Sequence, residues 1–196
     1  MTTDCKTLAP VWEEVAKDFV SEPGVLIAKV DAEAPNAKRT AEDQGVKSYP
    51  TIKYFPRGST EPVPYTGGRS EADIVSFMNE KAGTHRVAGG GLDATAGTIA
   101  ALDSIVSKFT GGETIASASA EIAKAAVGLK DKYAEYYIKV FEKISKNEGY
   151  VEKESNRIKG LLKKGGLSPE KMDDLISRSN ILSRFQKAVT GEKQEL

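Results

Sequence analysis

Cys5 and His85 are the only thiol and the only imidazole in 196 residues. A thiolate attacks disulfides and carbonyls, and an imidazole beside it can take its proton. Here that pairing has to join two residues about 80 positions apart, one of them in a glycine-rich stretch. One cysteine forms no intrachain disulfide, and one residue of each kind builds no Cys/His zinc cage. No metal and no cofactor are therefore expected. By itself, Cys5 reads either as a small core residue or as a weakly reactive thiol. Asp4, at the start of a helical pattern, reads as a helix cap rather than an acid catalyst. Tyr133, Tyr136, Tyr137 and Phe141 form an aromatic cluster. Tyr133, Tyr137 and Phe141 share a stripe that belongs in a core. Tyr136 falls off that stripe and is the candidate for a surface that holds unfolded chain. Arg157, Lys159, Lys163 and Lys164 are interleaved with Glu152 and Glu154, which marks a solvated helix face.

The elements that position these residues fall into two halves. Length suggests one large domain or two small ones. Lys plus Arg and Asp plus Glu are 28 each, which argues against a dedicated nucleic-acid binder. No apolar run approaches the ~18 residues of a membrane span. The amino-terminal residues show no basic and apolar pattern of a secretory signal peptide. Leu8, Val11, Trp12, Val15, Phe19 and Val20 predict a helix over 5–20, with Pro10 starting or kinking it. Residues 25–30 (VLIAKV) predict a short buried parallel strand. A polar helix over 36–43 stops at Gly45, and 51–55 (TIKYF) predicts a second strand. Pro62, Val63, Pro64 and Tyr65 fit only an edge strand, because proline cannot donate to a ladder. Ser70 to Asp73 is a capping box opening a helix with Ile74, Phe77 and Met78 on its core face. This alternation is an α/β pattern over residues 1–82.

Residues 83–93 (GTHRVAGGGLD) have the composition of a linker. Beyond them every periodic segment is helical. Five stripes over 94–190 predict a bundle-like all-α domain, its last helix opened by Ser168 as N-cap and Pro169 at the first helical position. Residues 191–196 form a polar tail. The first half carries 10 basic and 13 acidic residues and the rest 18 and 15, a mild asymmetry.

Four stretches of the first half resemble one family in order and spacing. Cys5 to Trp12 (CKTLAPVW) resembles the helix that begins at the active site of protein disulfide isomerases. Lys29 to Ala32 resembles the following strand end. Gly45 to Phe55 (GVKSYPTIKYF) resembles the thioredoxin-fold loop with a cis-proline and its next strand, and Tyr65 to Arg69 the turn before the last helix. The second half resembles the all-helical domain of the D-type subfamily. The resemblance implies an α/β plus all-α chain, a thioredoxin fold followed by a helical domain. It makes Cys5 the resolving cysteine, Pro50 the cis-proline beside the active-site sulfur, and Tyr49 a donor of backbone groups to an extended peptide. It also makes Arg69 the arginine that tunes the inner cysteine. The alternatives from the residues alone are a tight turn at Tyr49–Pro50 and an exposed helix-start arginine.

Two departures bear on activity. Where the family has Trp-Cys-Gly-His-Cys, this chain reads Met1-Thr2-Thr3-Asp4-Cys5, so Thr2 stands in place of the attacking cysteine. The first strand, first helix and second strand of the thioredoxin fold have no counterpart, and the expectation is an N-terminally truncated, partial fold. Its absent central strand would leave the strands at 25–30 and 51–56 with unpaired edges, so a rearranged or poorly folded first half is expected. Lys193, Gln194, Glu195 and Leu196 resemble the Lys-Asp-Glu-Leu retrieval signal with one change. That places the parent protein in the endoplasmic reticulum lumen, with a retrieval receptor and folding secretory polypeptides as partners. Three functions compete: a thiol–disulfide oxidoreductase impaired by Thr2, a non-catalytic chaperone or escort acting through the helical domain, and a non-functional shortened product.

Overall fold

Thr2 opens the first helix. Its side chain accepts from the Cys5 amide, and α1 runs from Thr3 to Asp18 straight through Pro10. The cap is thus Thr2, and Asp4 lies in the first turn, where a carboxylate favours the helix dipole. The structure, a computed structural model, describes residues 2–109, 115–129, 131–147 and 149–190. It divides into two compact units, Met1–Asp93 and Ala94–Leu196.

In the first unit α1 is followed by α2 (Lys38–Asp43), β1 (Lys53–Tyr54), β2 (Val63–Pro64) and α3 (Glu71–Ala82). The strands pair antiparallel with Lys53 opposite Pro64 and Tyr54 opposite Val63. Ser70 caps α3 in a reciprocal box with Asp73, and Gly83 ends it in the left-handed conformation at φ 67°. Leu8, Val15, Phe19, Ile74 and Val75 form the buried core, with Trp12, Val25, Ile27, Ile52 and Tyr65 packed against it. The Phe77 ring meets Tyr54 and Tyr65 at centroid distances of 5.9 and 4.8 Å.

The strand expected at 25–30 does not form. Among the described residues no strand pairs with it, and side chains of α1 hold it instead: the Trp12 indole Nε1 donates to the Ala28 carbonyl at 3.1 Å, and Lys29 Nζ pairs with Glu13 Oε1 at 3.2 Å. Leu26 is 88% exposed and Val30 66%. β-propensity and an apolar run are local properties, whereas a strand also needs a neighbour. Here β1 and β2 pair only with each other.

Residues 83–93, expected as a linker, are tied down within this unit. The Asn79 amide donates to the Arg86 carbonyl at 2.6 Å and accepts from the Arg86 amide at 2.9 Å. Arg86, only 5% exposed, pairs its Nε with Glu22 Oε1 at 2.7 Å. An antiparallel bridge links Arg86 to Leu92. A glycine-rich composition allowed a turn, and one buried arginine fixes it.

The second unit holds α4 (Ala100–Lys108), α5 (Ile115–Ala126), α6 (Lys132–Ile144), α7 (Tyr150–Lys164) and α8 (Pro169–Thr190). Its described core has 17 buried apolar residues, against five in the first unit. At about 2 kcal/mol for each large apolar side chain buried, hydrophobic stabilisation is concentrated here. The helix α6 sits centrally, packed on α5, α7 and α8. Asp131 caps it by accepting from the Tyr133 amide at 2.8 Å. Tyr137, Val140 and Phe141 are fully buried, and Phe141 and Phe185 meet edge to face at 5.0 Å. Tyr136, expected on a surface, is buried as well, at 6% exposure. A helix with neighbours on several sides buries a wider arc than one stripe.

Candidate functional site

The start of α1 gathers the residues with thiol chemistry. The Thr2 hydroxyl donates to Cys5 Sγ at 3.1 Å, and the Cys5 amide donates back to Thr2 Oγ1 at 3.3 Å. Cys5 is half-buried and forms no disulfide. Its neighbour Asp4 pairs through Oδ2 with Arg69 Nη1 at 3.7 Å. Arg69 is thus held beside the start of α1 through Asp4, with both side chains more than half exposed. An exposed pair at that distance is worth at most about 1 kcal/mol.

The Tyr49–Pro50 peptide is cis, and the turn is closed by Thr51, whose hydroxyl donates to the Ser48 carbonyl at 2.6 Å. Tyr49 is partly exposed. Lys53 at the head of β1 donates to the Gln44 carbonyl, which ties the turn to the end of α2. The loop therefore sets a partly exposed aromatic ring beside the cis bond.

Tyr136 has no part in this cluster. Arg178 of α8 covers its ring at 5.0 Å, and burial raises its phenol far above the usual range. Its hydroxyl and that of Ser155 are buried without hydrogen-bond partners among the described residues. On α7, Arg157 grips Glu154 through two bonds of 2.7 Å, which holds the Glu154 carboxyl below its usual range. His85 lies near Asp93 of its own loop, Nδ1 to Oδ2 3.4 Å. Lys193, Gln194, Glu195 and Leu196 lie outside the described residues. Among the described residues no cluster of metal-ligating side chains forms and no helix is long and apolar enough to cross a membrane.

The sequence reading missed three polar contacts. Arg86 with Glu22, Asp18 with Glu71, and Asp103 with Tyr137 and Arg184 each join residues far apart in the chain. Spacing carried no sign of them, since the partners meet only when distant helices and turns fold onto one another.

Comparison with known proteins decides the family. Residues 2–80 match the Thioredoxin model, and residues 97–185 match the model described as "Endoplasmic reticulum protein ERp29, C-terminal domain". The chain belongs to the protein disulfide isomerase family, D-type. It is 55% identical over 98% of its length to "Protein disulfide-isomerase erp38" of Neurospora crassa, covering 53% of that protein. It is 57% identical over 97% of its length to "Protein disulfide-isomerase tigA" of Aspergillus niger, covering 51%. With "Protein disulfide isomerase-like 2-2" of Oryza sativa the identity is 39% over 92% of this chain and 50% of the relative. The chain thus spans about half the length of the curated relatives it matches. Its fold is a partial thioredoxin unit followed by a helical domain.

Proposed function

We propose that this chain serves protein folding in the secretory pathway as a client-holding module with single-thiol, non-cycling redox chemistry. The observation that carries this is the pairing at the start of α1. A threonine hydroxyl, not a second sulfur, lies 3.1 Å from Cys5 Sγ, and Cys5 is the only cysteine.

Disulfide exchange needs two sulfurs in turn. A thiolate attacks a client disulfide, one S–S bond breaks as a mixed S–S bond forms, and a client thiolate leaves. A second thiolate then attacks the mixed disulfide and frees the client. Cys5 can carry out the first step. Thr2 cannot carry out the second, because a hydroxyl at neutral pH is no nucleophile toward sulfur. Client contact falls to the Tyr49–Pro50 loop and to the helical unit, and Arg69 acts on Cys5 only through Asp4. Endoplasmic reticulum residence fits the ERp29-type domain and the terminal Lys193 to Leu196. A retrieval receptor would read that tetrapeptide.

The test is thiol-dependent reduction of insulin and refolding of a scrambled disulfide protein. Rates equal to the background thiol are expected. Turnover near that of an intact family domain overturns the reading. For the address, the chain fused to a cleavable signal peptide should stay inside secretory cells and be released on loss of residues 193–196. Equal secretion of both versions overturns that part.

The second reading, a catalytic oxidoreductase, is favoured by one feature. Cys5 is half-exposed in the first turn of a helix, where an incoming disulfide can reach its sulfur. A second thiol supplied by another part of a longer protein would complete the cycle.

A further inference from the structure

Asp18 is the last residue of α1, and its side chain is turned into the first unit. It is 3% exposed, and its Oδ2 has no hydrogen-bond partner. Glu71, the first residue of α3, faces it at hydrogen-bonding range, a contact that two carboxyl groups can make only when one holds a proton. The Gly89 amide donates to Glu71 Oε1 at 2.7 Å and also serves Asp18. Gly90 follows so closely that a Cβ placed on it would lie 3.6 Å from Asp18 Oδ1. The turn over 86–92, closed by the bridge from Arg86 to Leu92, is therefore laid across the two carboxyl groups.

Other charged groups lie near this cluster on each element packed against it. On α1, Glu14 adds negative charge, and Lys17 is paired with Glu14 at 2.7 Å. On the turn, Arg86 pairs with Glu22 and also reaches the Gly90 carbonyl at 3.4 Å. His85 lies next to Asp93. On α3, Asp73 is occupied with the Ser70 cap.

We propose that Asp18 and Glu71 form a clasp that shares one proton, fastens residues 86–92 to the first unit, and opens when both carboxyl groups are ionised. The shared proton makes an O–H···O bond between α1 and α3 and leaves the remaining oxygens to receive the Gly89 amide. Losing that proton to solvent breaks the bond and leaves two like charges side by side, the Asp18 one buried. Repulsion then separates the ends of α1 and α3, and the amide loses its shared acceptor. Burial first, and the Glu71 charge second, push the Asp18 carboxyl up to about 6. The clasp is accordingly shut in mildly acidic solution and opens as pH rises through that value. Arg86 keeps its own anchors to Glu22 and Asn79, so opening loosens the tip of the turn at Gly89 and Gly90.

The experiment measures amide exchange at Gly89 and Gly90 in the full chain between pH 5 and 8, corrected for intrinsic exchange, together with the carboxyl titration of Asp18 by carbon NMR. Protection in the wild type should fall about tenfold or more across that range, which is the effect of ~1.4 kcal/mol. Asp18→Asn, whose amide donates as the protonated acid does, should stay protected throughout. Glu71→Gln, which removes the repulsion and keeps an acceptor for Gly89, should also flatten the profile, so either variant suffices if the other does not fold. Wild-type protection as flat as that of the variants overturns the clasp. So does an Asp18 titration in the ordinary aspartate range.

Discussion

The Tyr137 hydroxyl hydrogen-bonds to Asp103 Oδ1 and thereby joins the fully buried centre of α6 to α4. The other Asp103 oxygen lies 3.2 Å from Arg184 Nε on α8, so one carboxylate ties three helices. Burial raises the Asp103 carboxyl above its ordinary value, while the Tyr137 bond and the Arg184 charge pull it back. Tyr137→Phe keeps the ring and strips Asp103 of a donor. The expected cost is about 1–3 kcal/mol. That corresponds to a drop of several degrees in the melting of the second unit, since each kcal/mol shifts a domain of this size by about 4–8 °C. The loss should be larger at pH 7 than at pH 4, because a protonated Asp103 needs the donor less. Calorimetry of the variant at the two pH values checks both the size and the sign.

Arg86 is a second anchor. Its guanidinium is almost wholly enclosed and is satisfied by Glu22. Arg86→Met fills the same space but leaves Glu22 facing an apolar group. Breaking one side of a buried pair costs roughly 3 kcal/mol or more, a large share of what a core of five buried residues supplies. The variant should be cut by protease within 83–93 well before the wild type, while the helical unit stays intact. Adding Glu22→Gln to Arg86→Met should restore part of the protection. Identical digestion patterns would show that the pair does not hold this turn.

These two anchors mark what could be read in the sequence and what could not. The helices of the second unit announce themselves through stripes such as Leu102 with Val106 and Tyr137 with Phe141, because helical period and burial coincide. Ser70 and Asp73 announce the start of α3, because a capping box is complete within four residues. The same holds for the cis bond at Tyr49–Pro50, which a local motif announces. The strand at 25–30 was misread because its composition is local and its pairing is not. Tyr136 was misplaced because one helix cannot tell how many neighbours it has. Arg86 looked like a linker arginine, and its partner is 64 residues away.

Gly97 shows how closely one turn of the second unit approaches α8. It has φ +76°, and a Cβ there would stand 2.5 Å from the Ser177 Cβ and 3.2 Å from its Cα. Gly97→Ala therefore meets both a backbone conformation that L residues rarely adopt and a clash that no side-chain rotation removes. Left-handed strain of about 1–2 kcal/mol adds to overpacking of about 1–3 kcal/mol. The midpoint of denaturant unfolding for the second unit should fall accordingly, while that of the first unit holds. Gly128→Ala is the control. It shares a positive φ, 86°, but meets nothing within 4 Å, so it should show the strain without the clash.

The pH dependence of the first unit follows from Asp18. Its carboxyl is pushed up to about 6 when folded, from an ordinary value of 3.8. A raised acid binds its proton more tightly in the folded state. Its contribution is therefore complete below about pH 4, declines as pH rises, and is gone above the folded value. The difference amounts to about 3 kcal/mol at most. The first unit should unfold at lower denaturant at pH 7.5 than at pH 5, and Asp18→Asn should remove most of that difference. A first unit that instead gains stability across this range would mean that other carboxylates dominate its titration.

Thr2 and Cys5 permit the most direct test of the chemistry. The cap alone is worth about 1 kcal/mol, so Thr2→Ala should fray the first turn of α1 and raise amide exchange at Cys5 and Lys6. Thr2→Cys replaces the hydroxyl that now lies 3.1 Å from Cys5 Sγ with a second sulfur at the spacing of a dithiol motif. Under mild oxidation that variant should lose both free thiols, lose two mass units and stay monomeric, whereas the wild type with glutathione disulfide should stop at one mixed adduct on Cys5. Insulin turnover by Thr2→Cys should nevertheless remain small. The cis-proline loop that must present an extended client rests on a sheet of two short strands, and its neighbour at 25–30 has no strand partner among the described residues. Full turnover from this one substitution would show that the missing sulfur was the only barrier and that the partial sheet is sufficient for catalysis.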